Sequence, residues 1–288
     1  MEKEVISINT KFGKYRCLLI DHECINESLR CFIKEECING FAIRSENRFV
    51  NDLSFLNNIE ELKYLNLRRY SYVSLKDIES LKSLESLEFK GECENGIDFS
   101  NFNNLNDLTI LYQKKFKNIF KCKNLNQLII HHYNNKEKDI KEFLELQKLQ
   151  ILEIWSSPIK NIDSLITLKE LESLQLRYLR NLESIEGLAN HFKISELRIQ
   201  NCKKVKDIEL IGTLENLSVL TIDSCGDLPS LNFLKKLKKL KSIRLVNTKI
   251  LDGKLSWLLE KESMQYLGTS VDKHYDITYE KLTMFNNF

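Results

Sequence analysis

Apolar residues recur along this chain in two alternating patterns, and residues 217–245 carry both. First comes a strand signature, Leu217, Leu220 and Ile222, spaced L-x-x-L-x-L. Apolar residues then fall at every third position: Leu228, Leu231, Leu234, Leu237 and Leu240. Leu240 opens the next signature with Ile243 and Leu245. One unit of about 23 residues thus returns the chain to its starting state, and a fixed period of this size marks a solenoid. The signature predicts a short parallel strand, leucines inward and intervening residues outward. The rest of the unit predicts a 3₁₀ or α helix.

The first signature is Ile38, Phe41 and Ile43. It recurs from Leu62-Leu65-Leu67 through Leu240-Ile243-Leu245, with Met264-Leu267 as a degenerate last member. Starts lie about 20 to 24 residues apart. Residues 1–37 precede the repeats and predict a cap: strands at 4–9 and 14–21, a hairpin through Phe12-Gly13, and a helix N-capped by Asn26 with Leu29, Phe32 and Ile33 on one face. The polar stretch 134–139 (NNKEKD) predicts a loop, followed by a true helix on Ile140, Phe143 and Leu144. Trp257, Leu258 and Leu259 predict a closing helix, and residues 268–288 a C-terminal cap.

About ten repeats in register resemble those of leucine-rich repeat proteins, over residues 38–267. Between strands, runs such as Ile159-Ile162-Leu165-Leu168-Leu171 are similar to the 22-residue subclass of cytosolic regulators and internalin-like proteins. The resemblance implies an α/β solenoid: a right-handed horseshoe, parallel β-sheet on its concave face, 3₁₀ or α helices on its convex face, both ends capped. Strands stack about 4.8 Å apart while helices need about 10 Å, which curves such a stack. The resemblance also implies an Asn or Cys three residues past the last strand leucine, bonding buried backbone. Cys202 and Cys225 stand there, and Tyr70, Gln113, Tyr133 and Leu179 take the position elsewhere.

In solenoids the sheet face is the usual contact surface. Its outward positions are mostly polar. The exceptions are Leu111, Ile129, Ile151 and Trp155, with His131 among them and Tyr112 and Tyr133 expected at the border. Arg177 neighbours Trp155 in one outward row, whose first member is Arg68. Glu153 and Arg198 complete the charged surround. An apolar cluster with an aromatic anchor and a charged border predicts a protein contact site.

Composition narrows the partners. The 288 residues carry a formal net charge of +2, which gives no bulk attraction to nucleic acid or membrane. The N-terminus lacks an uninterrupted apolar run, so the chain is expected to be cytoplasmic. Eight cysteines in spacings unlike zinc sites then predict reduced, mostly buried thiols. Nucleotide-binding and metalloprotease motifs are lacking from the sequence. His22 and Cys24 have no evident third partner for a triad. Glu88, Asp107, His131 and Glu153 share an open sheet that excludes water poorly. The expectation is a monomeric, non-catalytic scaffold for another protein, an inhibitor, immunity-type or adaptor protein, with no cofactor or metal. The alternative is an anion- or nucleic-acid-binding module using the convex lysines Lys235, Lys236, Lys238 and Lys239. No aromatic residue interleaves that run in sequence.

Overall fold

A computed structural model describes residues 4–20, 27–43, 61–67 and 74–287, with 53, 54, 56 and 59 between. His22, Cys24, Asn26, Arg68 and Tyr70 lie outside the described residues. The chain forms two compact units, Met1–His132 and Tyr133–Phe288.

The first unit opens with the antiparallel hairpin of β1 (Val5–Asn9) and β2 (Lys14–Ile20), closed where Thr10 N donates to Gly13 O. Helix α1 (Glu27–Glu35) buries Leu29 and Ile33, as its apolar spacing predicts. It ends at Cys37, whose φ of 51° lets Ile38 N reach Ile33 O. Then β3 (Gly40–Ile43), β4 (Tyr64–Asn66), β5 (Ser86–Phe89), β6 (Asp107–Leu111) and β7 (Gln127–His131) follow. Each pairs in parallel with its predecessor, and β3 pairs with β2.

The second unit repeats the plan with β8 (Ile151–Trp155), β9 (Ser173–Arg177), β10 (Glu196–Gln200), β11 (Val219–Asp223), β12 (Ser242–Val246) and β13 (Tyr266–Gly268). These are parallel neighbours in chain order. The short helix α2 (Ser256–Leu259) lies where Trp257 to Leu259 predict one. Helix α3 (Tyr279–Asn286) follows β13. The Asn286 side-chain amide accepts from Leu267 N at 3.0 Å and donates to Leu267 O at 2.9 Å. It thereby satisfies backbone groups that an edge strand leaves open.

Between strands the chain returns through 3₁₀ turns of three to six residues, such as Asp163–Thr167, Ile208–Thr213 and Asn232–Lys236. The every-third apolar spacing explains why. A 3₁₀ helix has three residues per turn, so residues at that spacing share one face. Ile162, Leu165, Leu168 and Leu171 are buried, and the N–H of each of the last three donates to the preceding member: Leu165 to Ile162 at 2.9 Å, Leu168 to Leu165 at 2.9 Å, Leu171 to Leu168 at 3.1 Å. The true helix expected after residue 139 is also a 3₁₀ turn, Lys141–Glu145, because Ile140, Phe143 and Leu146 keep the same spacing. Each side chain buried this way contributes about 1.5–3 kcal/mol. Among the described residues no helix is long and apolar enough to cross a membrane.

Candidate functional site on the outer face of the sheet

Each five-residue strand of the second unit alternates half-buried and buried side chains, except that Arg244 of β12 is exposed. The outward rows are in the predicted register. Glu153, Gln175, Arg198, Thr221 and Arg244 face across successive strands, as do Trp155, Arg177, Gln200, Asp223 and Val246. A third row runs Ile151, Ser173, Glu196, Val219, Ser242 and Tyr266.

Of the predicted patch, Leu111, Ile129 and His131 belong to the first unit. Ile151, Glu153, Trp155, Arg177 and Arg198 belong to the second. In the first unit Leu111 is paired with His131, and Ile129 with Thr109; all but the buried Thr109 are half-exposed. Tyr133 does not border the patch. It is fully buried, edge-on to Phe143 at 5.0 Å, and its hydroxyl donates to Glu142 at 2.7 Å. His132 before it has φ 57°, a turn that sends position 133 into the core.

That turn recurs. Ser156, Tyr178, Asn201, Ser224 and Asn247 all have φ between 46° and 57°, each two residues past the last strand leucine. The N–H groups of the first four donate to the end of the next strand: Ser156 to Arg177 O, Tyr178 to Gln200 O, Asn201 to Asp223 O, Ser224 to Val246 O. The following residue points inward and serves buried backbone. Cys202 Sγ donates to Leu176 O and Gln200 O at 3.6 and 3.4 Å, and Cys225 Sγ to Ile199 O and Asp223 O at 3.4 and 3.2 Å. In the first unit Gln113 accepts from Cys93 N and donates to Gly91 O. At this position Ser157 and Thr248 bond Trp155 O and Val246 O, whereas Leu179 is simply buried.

Left-handed backbone is tolerated by Asn but costly for a bulky side chain. Tyr178 stands out for this reason: it is 40% exposed, with its ring centroid 6.4 Å from that of Trp155. The Arg177 guanidinium lies 4.3 Å from the Trp155 ring centroid, and Trp155 Nε1 donates to Glu153 at 3.0 Å. The indole is held on three sides. Burial and the neighbouring Arg198 charge lower the Arg177 pKa from its ordinary value. Sequence reasoning missed Tyr178 and Tyr266; the readable signal was an aromatic at a turn or outward position.

Among the described outward residues of the first unit, Tyr64, Ser86, Asp107 and Thr109 are buried. Tyr64 is buried because Tyr15 of the hairpin covers it, ring centroids 5.1 Å apart. Beside it, a Cβ on Gly40 would stand 2.4 Å from Cys17 Sγ, so this crowded row needs glycine there. Asp107 is also buried. Its carboxyl accepts from Gln127 at 2.8 Å, and burial, with Glu88 adding repulsion, raises its pKa to about 6. Among the described residues no three His, Cys, Asp or Glu side chains gather to hold a metal.

Lys235, Lys236, Lys238 and Lys239 are exposed on the return side of their repeat. Lys239 donates to Asn216, and the Lys235 ammonium lies 5.6 Å from the Trp257 ring centroid. The fold thus supplies from the next repeat an aromatic that the lysine run lacks in sequence.

These features define a leucine-rich repeat solenoid: open parallel sheet, short 3₁₀ returns and a side-chain ladder behind each strand. Solved structures agree. An internalin from Listeria monocytogenes has a TM-score of 0.61 at 18% identity, covering 90% of this chain and 85% of that one. A leucine-rich repeat protein from Leptospira interrogans has a TM-score of 0.52 at 22% identity, covering 73% of this chain and 56% of that one. No protein-family model and no curated protein matches the chain in sequence.

Proposed function

We propose that the chain is a non-catalytic scaffold that holds another protein against the outer face of its sheet, as an inhibitor, immunity-type or adaptor protein. The carrying observation is Trp155, a half-buried indole fixed by Arg177, Glu153 and Tyr178 on an open face. A side chain already held in place loses little entropy on binding, which favours affinity. Ile151, Glu153, Arg177 and Arg198 surround it in the second unit. Leu111, Ile129 and His131 form a further contact set in the first. Residues 1–37 and 268–288 act as caps on the repeats at 38–267. The every-third apolar spacing supports the 22-residue subclass, and the free cysteines are compatible with a reducing cytoplasm.

Affinity capture from the source organism's lysate tests this reading. Wild type is compared with Trp155→Ala and with Lys236→Ala/Lys238→Ala, all confirmed folded by circular dichroism. A protein kept by wild type and the lysine variant but lost by Trp155→Ala is expected. A ligand lost only by the lysine variant and released by salt overturns the reading in favour of the basic ridge.

A further inference from the structure

Charges on the outer face of the second unit do not pair with one another. Glu153 accepts from Trp155, Glu196 from Ser173, and Asp223 from Gln200 and Ser224, all uncharged donors. The arginines are left over. Arg177 donates one bond, to Gln175, and stacks on Trp155. Arg244 lies over the Tyr266 ring at 5.8 Å. Among the described residues none of Arg177, Arg198 and Arg244 forms an ion pair, and the Nε atoms of Arg177 and Arg198 are buried without a hydrogen-bond partner. Buried donors of this kind normally find an acceptor, and charged ones are the costliest to leave unmet. All three arginines line one depression of about 570 Å³, where Asp223 is the only acid among the described lining residues.

We propose that this depression seats an acidic segment of the bound protein, its carboxylates accepting from Arg198 and Arg244. The inference rests on the scaffold reading above and gives the partner's chemistry. Arg198 and Arg244 share one row with Thr221 between them, two strand spacings apart, so about 10 Å at their backbones. A polyproline II chain rises about 3.1 Å per residue with three residues per turn, so acids three apart lie on one side of it and span about the same distance. Guanidinium forks match carboxylates in pairs of parallel bonds. Tyr266 at one side and Trp155 stacked on Arg177 offer apolar surface to the residues between.

Selection of displayed random dodecapeptides on the whole wild-type protein tests the inference. Enrichment of Asp or Glu at three-residue spacing is expected. A synthetic copy of the best binder should lose roughly 10- to 100-fold affinity on Arg198→Gln, and again on Arg244→Gln. It should weaken as salt rises. Arg198→Gln should leave the melting temperature unchanged or higher, since it removes an unpaired charge beside Arg177. A clear drop would make Arg198 structural and overturn the inference. Binders lost on Trp155→Ala but neither acidic nor sensitive to Arg198→Gln would overturn it while the scaffold reading stands. Failure to select any binder that depends on Trp155, Arg198 or Arg244 would sink both. Displacement of the acidic peptide from Arg198 by millimolar inorganic phosphate or a thymidine oligonucleotide, with tighter binding than the peptide, would overturn it in favour of a phosphate ligand.

Discussion

Tyr178 combines an unfavourable backbone conformation with an exposed ring. Asn at the same turn position in two later repeats, Asn201 and Asn247, adopts that conformation more cheaply. Tyr178→Asn is therefore expected to keep stability or raise it by up to about 1 kcal/mol, while weakening partner binding. Urea melts beside a binding isotherm check both halves. His191 gives a pH dependence. It is 1% exposed, its Nε2 lies 3.1 Å from Leu165 O, and its Nδ1 has no hydrogen-bond partner among the described residues. Burial lowers its pKa from the ordinary value. Below about pH 6.5 the unfolded chain binds the proton and the folded one resists it, so stability is full above that pH and falls as pH drops. The urea midpoint of His191→Gln should change less between pH 7.5 and 5.5 than that of wild type. Asp107 acts oppositely: its raised pKa gives stability present at low pH and lost as pH rises from about 4 to about 6. The His191→Gln comparison isolates one contribution from the other.

At the scale of elements, strands and their outward rows were legible, because a period of two assigns every side chain to a face. The 3₁₀ character was present too, in the every-third spacing, though the sequence leaves α helix open at residues 140–144. Tyr64 and Asp107 were not legible as buried, because Tyr15 and the crowding of neighbouring outward side chains decide that. Nor was the left-handed turn, since His132, Ser156, Tyr178 and Asn201 share a conformation but no chemistry. The divided patch was invisible for a third reason: equal periodicity runs through both units. Close packing between returns predicts a further loss. A Cβ on Gly187 would lie 2.0 Å from Ile162 O, a backbone atom that cannot rotate away. Gly187→Ala should cost about 1–3 kcal/mol by overpacking, seen as a lower denaturation midpoint. A neutral result would mean adjacent returns slide freely.

For the whole molecule, repeats that touch only their neighbours make stability local and additive. Leu220 of β11 is fully buried, and Leu220→Ala should cost about 2–5 kcal/mol. Amide hydrogen exchange should accelerate in β11 and in its neighbours β10 and β12 before β8 follows. Uniform acceleration across the second unit would instead indicate one cooperative block.

The buried thiols bear on how the protein can be handled chemically. Burial pushes Cys202 and Cys122 up to about 12, and Cys17 likewise. At neutral pH they are almost wholly protonated, and the thiolate is the reactive species. These buried thiols are thus inert to alkylating reagents and mild oxidants while the fold persists. Cys31 and Cys37, at α1, are exposed. A maleimide dye should modify those two and spare Cys202 and Cys225, which peptide mapping by mass spectrometry would reveal. Fluorescence can be attached without mutagenesis and without touching Trp155 or the arginines.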